Sequence, residues 1–347
     1  EKQRMKIALD AMGGDHAPSA IIAGGLEAAR LSEGKYEVVF VGDQKVIEDE
    51  IAKHRFKASH LQYSIIHASE KIEMHESPTT SLKKKPNASI LISQQLHRRG
   101  DVNAVVSAGH TGATLASALI TLGRLPGIHR PSLGSFLPTG QGVTFILDVG
   151  AMVDCKPKNL QQFAIMGSIF MEKVVGIDNP QVGLLSIGEE KSKGNEVTLK
   201  AFDLLEKSKL NFIGNIEGRD ILKGEADVVV CDGFVGNIIL KFAESFDGII
   251  SLHMKKYIGK KIISNIGAFL LKPTFTGLRK IWNYEEYGGA PLLGANGVVI
   301  IGHGRSTPKA VMNAIREAAK MIEKRVNQTI KREMQSIEEA EVVPESA

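Results

Sequence analysis

Short apolar runs alternate with helical patterns along most of the chain, and a glycine-bearing polar turn follows most of the runs. Several runs are continuous stretches of Val, Ile and Leu, which is typical of strands buried on both faces of a parallel sheet. The predicted strands are Lys6–Ala11, Glu37–Gly42, Gln62–His67, Ala104–Ser107, Val143–Asp148, Val182–Ser186, Phe212–Ile216, Asp227–Cys231 and Val298–Gly302.

Residues with helical periodicity fill the intervals between these runs. The predicted helices are Ser19–Leu31, Gln44–His54, Ala88–Arg98, Ala113–Leu122, Leu160–Val175, Glu196–Lys207 and Pro308–Glu333. This alternation predicts a doubly wound α/β fold with a mostly parallel sheet, forming one domain over residues 5–333. The segment 334–347 is acidic and contains no Lys or Arg. We expect it to form a disordered tail.

Composition and charge exclude some classes of protein function. The 347 residues carry a formal net charge of +4, which is too small to indicate a nucleic-acid partner. No stretch approaches about 18 uninterrupted apolar residues, so we expect no membrane-spanning helix. Cys155 and Cys231 lie far apart and have neither disulfide-framework nor metal-ligand spacing. We therefore expect a cytoplasmic protein with two free thiols.

Seven of the predicted strands end in polar turns that contain glycine. The turns read DAMGGD, SAGHTGAT, DVGAMVDCKP, SIGEEKSKGNE, NIEGRD, CDGFVGN and GHGRS. In open α/β sheets the carboxyl ends of the strands share one edge, where helix N-termini and exposed backbone N–H groups bind anions. The turns together therefore predict one large anion site, although tight turns in α/β proteins also need glycine for structural reasons.

Nucleotide-binding motifs are missing from these turns. The first strand is not followed by GxGxxG, and GxxxxGK[ST] does not occur in the chain. A nucleotide-binding dehydrogenase, the alternative that the strand–helix pattern alone would suggest, is therefore disfavoured.

Long motifs of the chain resemble the PlsX family, the phosphate acyltransferases of bacterial phospholipid synthesis. The motifs are IALDAMGGDHAP, SAGHTGA, DVGAMVDCKP, GLLSIGEEKSKGNE, NFIGNIEGRDI, DVVVCDGFVGNIILK and YGGAPLLGANGVVIIGHG, in the family order between about Met5 and Arg325. The resemblance implies conversion of fatty acyl-acyl carrier protein and inorganic phosphate to acyl phosphate. It also implies a three-layer α/β/α fold similar to isopropylmalate dehydrogenases, a homodimer, and a membrane glycerol-phosphate acyltransferase that consumes the product.

The implied reaction needs little general acid–base catalysis. Phosphate is partly dianionic near neutral pH, and a thiol with a pKa of about 8–9 leaves without strong acid assistance. The protein needs a phosphate cradle, orienting donors and an oxyanion hole, and no cofactor is expected. Neither cysteine has an activating sequence environment, so direct transfer is preferred over an acyl-cysteine intermediate.

Three residues are predicted to be catalytic: Asp10, His16 and Lys193. Asp10 and His16 lie in the first glycine turn, where they are expected to orient phosphate or the thioester. Lys193 directly precedes Gly-Asn at a predicted helix start, which is a suitable place for an anion ligand.

Further turn residues are predicted to bind phosphate or substrate through glycine N–H groups, hydroxyls, carboxylates and a second lysine. They are Gly13, Gly14, Asp15, Ser107, Gly109, Thr111, Gly112, Asp148, Lys156, Glu189, Asn195, Asp232, Gly233 and Asn237. Structural alternatives exist, because Asp15 can cap the helix near Pro18 and Asp148 can form an ion pair with Lys156. The carboxylates lack the regular spacing of a metal loop, so no metal is expected.

The segment 248–284 interrupts the α/β pattern. It contains seven basic residues and no acidic one, with apolar residues at helical spacing. Such a basic amphipathic stretch is typical of an element that binds an anionic membrane surface or an acidic partner such as acyl carrier protein. The predicted contact residues are Lys256, Lys260, Phe269, Leu270, Leu271 and Phe275. The alternative is that the segment is buried between two subunits. We expect the protein to associate peripherally with the membrane.

Two other functions compete with the implied one. One is a phosphotransacetylase-like enzyme acting on acyl-CoA, but the apolar segment 248–284 favours long acyl chains. A non-catalytic acyl-carrier or membrane scaffold would not need polar glycine turns at the strand ends.

Overall fold

The computed structural model describes residues 4–54, 61–258 and 287–342, together with positions 267, 270, 271, 273, 274 and 277. Its strands are β1 (Met5–Asp10), β2 (Tyr36–Gly42), β3 (Tyr63–His67), β4 (Ala104–Ser107), β5 (Ser132–Thr139), β6 (Gly142–Leu147), β7 (Val182–Leu185), β8 (Phe212–Ile216), β9 (Val228–Val230), β10 (Ala290–Leu293) and β11 (Val298–Ile301). The predicted strands are confirmed, whereas β5 and β10 are absent from the sequence prediction.

The helices lie between the strands, as the sequence predicts. They are α1 (Ser19–Leu31), α2 (Gln44–Lys53), α3 (Pro78–Lys84), α4 (Ser89–Arg99), α5 (Thr111–Thr121), α6 (Pro157–Phe170), α7 (Glu196–Glu206), α8 (Gly218–Ile221), α9 (Gly233–Ile258), α10 (Pro308–Glu323) and α11 (Val326–Val342). A π-helical segment, Met171–Val175, continues α6.

The carboxyl-terminal region differs from the sequence prediction in two ways. Arg325 adopts a φ of 53°, in the left-handed region, and separates α10 from α11, so one continuous helix over Pro308–Glu333 is wrong. The disordered tail is wrong for residues 334–342, because α11 extends to Val342. Val326, Ile330 and Met334 repeat every four residues and are buried in the core, which explains why an acidic segment still forms a helix.

The strands described form one eleven-stranded sheet in the order β3-β2-β1-β4-β11-β10-β5-β6-β9-β7-β8. β1 to β4 and β11 form a parallel half, and β6 to β9 form a second parallel half. Three successive antiparallel pairings, β11–β10, β10–β5 and β5–β6, join the halves, which therefore run in opposite directions. The expectation that all seven glycine turns share one edge is consequently wrong.

Helices cover both faces of this sheet, which confirms the predicted three-layer arrangement. Ile7 and Leu9 of β1 pack in the cluster that also contains the apolar faces of α1, α6 and α10. Ala8, which points to the other face, packs in a cluster with residues of α4 and α5. On that second face of the other half, Ile146 and Val229 pack with residues of α9.

Candidate active site

A cavity of about 400 Å³ is lined by residues from both halves of the sheet. Thr111 and Gly112 at the start of α5 and His303 after β11 belong to the first half. Gly150 after β6 and Asn237 on α9 belong to the second half. The cavity therefore collects strand-end turns from opposite halves of the sheet, and it is the candidate active site.

The cavity combines an apolar floor with polar side chains. Leu133 and Phe136 of β5 and Ile301 of β11 contribute apolar surface. Lys241 and Glu244 of α9 also line the cavity and form an ion pair with an N–O distance of 3.3 Å. This composition suits a ligand with an apolar chain and a polar reacting group.

Asp10 is the last residue of β1 and is only 3% exposed. Its two carboxylate oxygens accept hydrogen bonds from Ser89 Oγ at 2.6 Å and from Ser107 Oγ at 2.7 Å. Burial raises the pKa of Asp10, while the two serine hydrogen bonds act in the opposite direction. The carboxylate is thus engaged with β4 and α4, which favours a positioning role.

The first glycine turn holds the loops that carry Thr111 and His303. A Cβ atom at Gly13 would lie 2.5 Å from Asp10 Oδ2 and 2.9 Å from the Gly109 Cα atom, so these two turns pack backbone to backbone. The Asp15 N–H donates to the Gly304 carbonyl at 2.8 Å. Asp15 itself is exposed, and the N-cap of α1 is Pro18 without a side-chain cap bond, so the helix-capping alternative for Asp15 is not supported.

The turn at the start of α5 is arranged differently from the expected phosphate cradle. His110 is the N-cap residue, and its Nδ1 accepts a hydrogen bond from the Gly112 N–H at 3.1 Å. The Gly109 N–H donates to Ser107 Oγ at 3.1 Å. Both glycine N–H groups therefore have partners within the protein, and Thr111 is the member of this turn that presents an exposed side chain to the cavity.

Asp148 organises the turn that follows β6. Its carboxylate is fully buried and accepts hydrogen bonds from four backbone N–H groups, those of Leu133, Gly150, Ala151 and Met152. Desolvation raises the pKa of Asp148 to about 6, although the backbone donors oppose this shift. Lys156 is exposed and, among the residues described, forms no ion pair with Asp148. The ion-pair alternative is therefore wrong.

The start of α9 packs tightly on the Asp148 turn. Asp232 Oδ1 accepts hydrogen bonds from the N–H groups of Phe234 at 3.0 Å and Val235 at 2.9 Å, so its carboxylate caps the helix. A Cβ atom at Gly233 would lie 2.7 Å from Asp148 Oδ2. These contacts place Asn237, on the next turn of α9, against the cavity.

Lys193 and its neighbours lie in the turn between β7 and α7. Asn195 caps α7 by accepting the Thr198 N–H at 2.9 Å, and exposed Glu189 pairs with Arg219 at 3.5 Å. Lys193 is exposed and, within the described part of the chain, no ion pair engages it. Its aliphatic stem lies against Gly188, where a Cβ atom would approach Lys193 Cγ to 2.8 Å.

Only some of the predicted site residues therefore lie at the cavity. Thr111, Gly112 and Asn237 line the cavity, whereas exposed His16 and exposed Lys193 do not line it. Among the described lining residues, sequence reasoning missed nine polar or glycine positions: Ser135, Gly150, Lys241, Glu244, Tyr287, Gly288, Gly289, Gly302 and His303. Gly150 and His303 lie within turns that the sequence analysis identified, but Lys241 and Glu244 follow Asn237 along α9 at helical spacing, without a motif of their own.

Both cysteines are poor candidates for a covalent nucleophile. Desolvation raises the pKa of the Cys155 thiol to about 12. It also raises the pKa of the fully buried Cys231 thiol, whose Sγ lies 3.6 Å from the Asp148 carbonyl oxygen. Neither thiol is therefore predisposed to form a thiolate, which supports direct transfer.

Part of the predicted membrane or partner surface is visible. Lys256 is exposed on α9, and Leu270 and Leu271 are 71% and 50% exposed. Lys260, Phe269 and Phe275 lie outside the described residues. No helix within the described ranges combines the length and the apolar character that a membrane crossing requires.

The sheet is doubly wound, and the cavity, which has both polar and apolar lining residues, lies where its two halves meet. These features define an α/β protein that binds its ligand between strand-end turns. Residues 5–329 match the sequence model of the family described as "Fatty acid synthesis protein", and the chain belongs to that family. The phosphate acyltransferase of Pelotomaculum thermopropionicum is 49% identical over 334 residues, covering 96% of each chain. That of Heliobacterium modesticaldum is 50% identical over 314 residues, covering 90% of this chain and 93% of the relative. The family resemblance seen in the sequence is confirmed, and the relatives are acyltransferases by name.

Solved structures share the fold at low sequence identity. A phosphotransacetylase from Streptococcus pyogenes has a TM-score of 0.61 at 21% identity, covering 93% of this chain and 95% of that one. The EutD phosphotransacetylase from Staphylococcus aureus has a TM-score of 0.59 at 18% identity, with coverages of 91% and 94%. The predicted doubly wound α/β fold is confirmed by these similarities.

Proposed function

We propose that this protein is a phosphate acyltransferase that converts long-chain acyl-acyl carrier protein and inorganic phosphate to acyl phosphate and free carrier protein. The observation that carries the proposal is the cavity with an apolar floor beside the start of α5. The helix dipole favours an anion at that end, while the floor suits an acyl chain. Relatives named phosphate acyltransferase, about half identical over nearly the whole chain, support the same activity.

The cavity suggests a role for each of its polar groups. The Thr111 hydroxyl and the start of α5 would orient phosphate, with Lys241 supplying positive charge. His303 Nδ1 accepts the Arg305 N–H at 3.2 Å, so the proton of the neutral imidazole is on Nε2, which makes Nε2 a hydrogen-bond donor. A phosphate oxygen attacks the thioester carbonyl while Asn237 or His303 donates to the oxyanion. The C–S bond then breaks, and the thiolate takes, through water, the proton that the phosphate group loses.

Asp10, His16 and Lys193 have different places in this proposal. Asp10 acts as a positioning residue, because its carboxylate is buried against Ser89 and Ser107. Lys193 and His16 are proposed to meet anionic parts of the substrates outside the cavity, since both are exposed. Lys193 has no ion pair among the described residues, which supports this assignment, because an anion would not have to displace a carboxylate from it.

The proposed activity is tested with palmitoyl-acyl carrier protein. We expect release of the carrier thiol to depend on phosphate and to yield an acyl phosphate that hydroxylamine traps. Equal thiol release without phosphate would contradict the proposal. A strong preference for acetyl-CoA over the carrier-bound palmitoyl chain would instead support the phosphotransacetylase-like alternative.

The proposed location and assembly depend on an apolar surface of α9. Phe234, Ile238, Phe242, Ile249 and Leu252 are between 53% and 66% exposed and recur at helical spacing. Burial of such a stripe against a second subunit or a lipid surface is favourable. We propose a homodimer with peripheral attachment to an anionic membrane surface, where a membrane glycerol-phosphate acyltransferase consumes the product.

A further inference from the structure

A second cavity, of about 810 Å³, is markedly basic. Arg124, Arg130, Lys156 and Lys158 line it, whereas Asp154 is the sole acidic residue among the described ones that line it. In the part of the chain that the structure describes, Arg130 and Lys156 form no ion pair with a carboxylate. Like charges gathered in this way repel one another unless an anion binds among them.

A buried side chain of α6 holds the loop that carries Arg124 and Arg130. Gln162 is 4% exposed, and its Oε1 accepts the His129 N–H at 2.9 Å while its Nε2 donates to the Gly127 carbonyl at 2.7 Å. The Arg124 guanidinium donates to the His129 carbonyl. The loop that carries Arg124 and Arg130 is thereby fixed to α6, at whose start Lys156 and Lys158 lie. Such preorganisation lowers the entropic cost of binding.

One turn separates this cavity from the candidate active site. Val149 and Gly150 line the first cavity, and the next two residues, Ala151 and Met152, line the basic one. The carboxylate of Asp148 fixes the turn through hydrogen bonds to backbone N–H groups of residues 150, 151 and 152. A macromolecule bound in the basic cavity would therefore lie beside the site at which acyl transfer is proposed.

We infer that the basic cavity is the docking site for the acidic face of the acyl carrier protein, whose thioester-bearing arm enters the active site past Gly150. This inference rests on the proposed function and names the surface that receives the acyl donor. Cations from two separate chain segments, spread around a cavity of about 810 Å³, match an extended acidic surface better than a single phosphate ion.

The test compares two thioesters that share the acyl chain. Arg130→Glu reverses one exposed charge in the basic cavity, and Lys209→Glu, in the turn between α7 and β8, makes a matched reversal away from both cavities. We expect Arg130→Glu to raise the KM for palmitoyl-acyl carrier protein at least about tenfold, which is 1.4 kcal/mol of binding. The rate with palmitoyl-pantetheine, which has no protein and no phosphate, should stay within about twofold, and Lys209→Glu should resemble the wild type on both substrates.

Direct binding separates this inference from the proposed function. Titration calorimetry with holo-acyl carrier protein should show salt-sensitive binding that Arg130→Glu weakens and Lys209→Glu does not. Equal binding by both variants, or an Arg130→Glu variant whose KM for phosphate rises with palmitoyl-pantetheine, would overturn the docking site. A wild-type protein that binds the carrier without releasing thiol would contradict the proposed function and leave the docking site standing.

Discussion

Ser107 donates a hydrogen bond to Asp10 across 2.7 Å, joining the end of β4 to the end of β1 inside the protein. The same Ser107 oxygen accepts the Gly109 N–H at 3.1 Å, which connects the buried carboxylate to the turn that leads into α5. These contacts support the proposed positioning role of Asp10, which would act on the turn before α5 through Ser107.

Ser107→Ala should weaken this connection and lower both stability and activity. Loss of the hydroxyl leaves one oxygen of a buried carboxylate without its donor, which costs about 1–3 kcal/mol of unfolding free energy. Urea unfolding measures this loss, and thiol release from palmitoyl-acyl carrier protein should decline in the folded variant. Ser336→Ala, at an exposed serine of α11, is the control and should change neither quantity. A fully stable, fully active Ser107→Ala would exclude the positioning role.

The two lysines of the β7–α7 turn provide a matched comparison. Lys191 pairs with Glu206 at 2.6 Å and Asp203 at 3.1 Å, whereas Lys193 is exposed without an ion pair among the described residues. We expect Lys193→Ala to lose at least about tenfold in rate, equivalent to 1.4 kcal/mol of barrier, and Lys191→Ala to lose less than about twofold. Steady-state rates at varied phosphate and carrier concentrations measure both. Equal effects of the two substitutions would remove Lys193 from the site.

His16→Ala is expected to lose a similar factor, at least about tenfold in rate. His16 lies in the first glycine turn and is exposed, so its replacement should leave the fold intact. His67→Ala, which alters an exposed histidine at the end of β3, provides the comparison. Wild-type rates in a folded His16→Ala variant would restrict the ligand-binding groups to the cavity itself.

The sequence predicts most strands but not the two that set the geometry of the site. β9 (VVV) and β11 (VVII) are continuous apolar runs, so their burial is evident without tertiary information. β5 contains Pro138 and Gly134, and β10 has four residues including Pro291, so neither shows a strand pattern. Their pairing reverses the sheet direction and distributes the glycine turns over two opposed halves.

For the polar site candidates, the sequence likewise indicates which residues are important, but their roles depend on tertiary contacts. Residue type and position identify Asp10, Asp148 and Asp232 as special, since each follows a buried apolar run. Their roles depend on donors from elsewhere in the chain, such as Ser89 for Asp10 and Leu133 for Asp148. A carboxylate that folds a turn and one that binds phosphate have the same sequence signature, so only their hydrogen-bond partners distinguish them.

We expect the substitution Gly236→Ala to displace α9 from the active site. A Cβ atom at this position would overlap the Asp148 carbonyl oxygen, and backbone atoms cannot move aside as a flexible side chain does. We expect a loss of about 3 kcal/mol in unfolding free energy and of most activity, because Asn237 and Lys241 are displaced with the helix. Gly218→Ala is the matched control, since within the described part of the chain no atom beyond its own neighbours and helix lies within 4 Å of a Cβ there. A stable, active Gly236→Ala variant would refute this packing.

Asp148 should make stability dependent on pH below neutrality. Its folded pKa, about 6, exceeds the ordinary value of 3.8, so the folded state binds the proton more tightly than the unfolded state. The stabilising contribution of the protonated form is complete below pH 3.8 and is lost as the pH rises through 6. The wild type should therefore lose up to about 3 kcal/mol relative to Asp148→Asn between these limits, measured by urea unfolding. A pH-independent difference between the two proteins would place this pKa at its ordinary value.

Leu271→Glu tests whether the segment 248–284 binds lipid or a second subunit. Leu270 and Leu271 are exposed, and lysines near them gain about 1 kcal/mol each beside anionic lipid. Since neither the apolar nor the electrostatic contribution is large, binding should be reversible, salt-sensitive and specific for anionic vesicles. We expect the wild type to co-sediment with anionic but not neutral vesicles, and Leu271→Glu to abolish this while thiol release in solution continues. Leu199→Glu, at an exposed leucine of α7, should sediment like the wild type. Equal binding to both vesicle types, or undiminished binding by Leu271→Glu, would favour burial of the segment between two subunits.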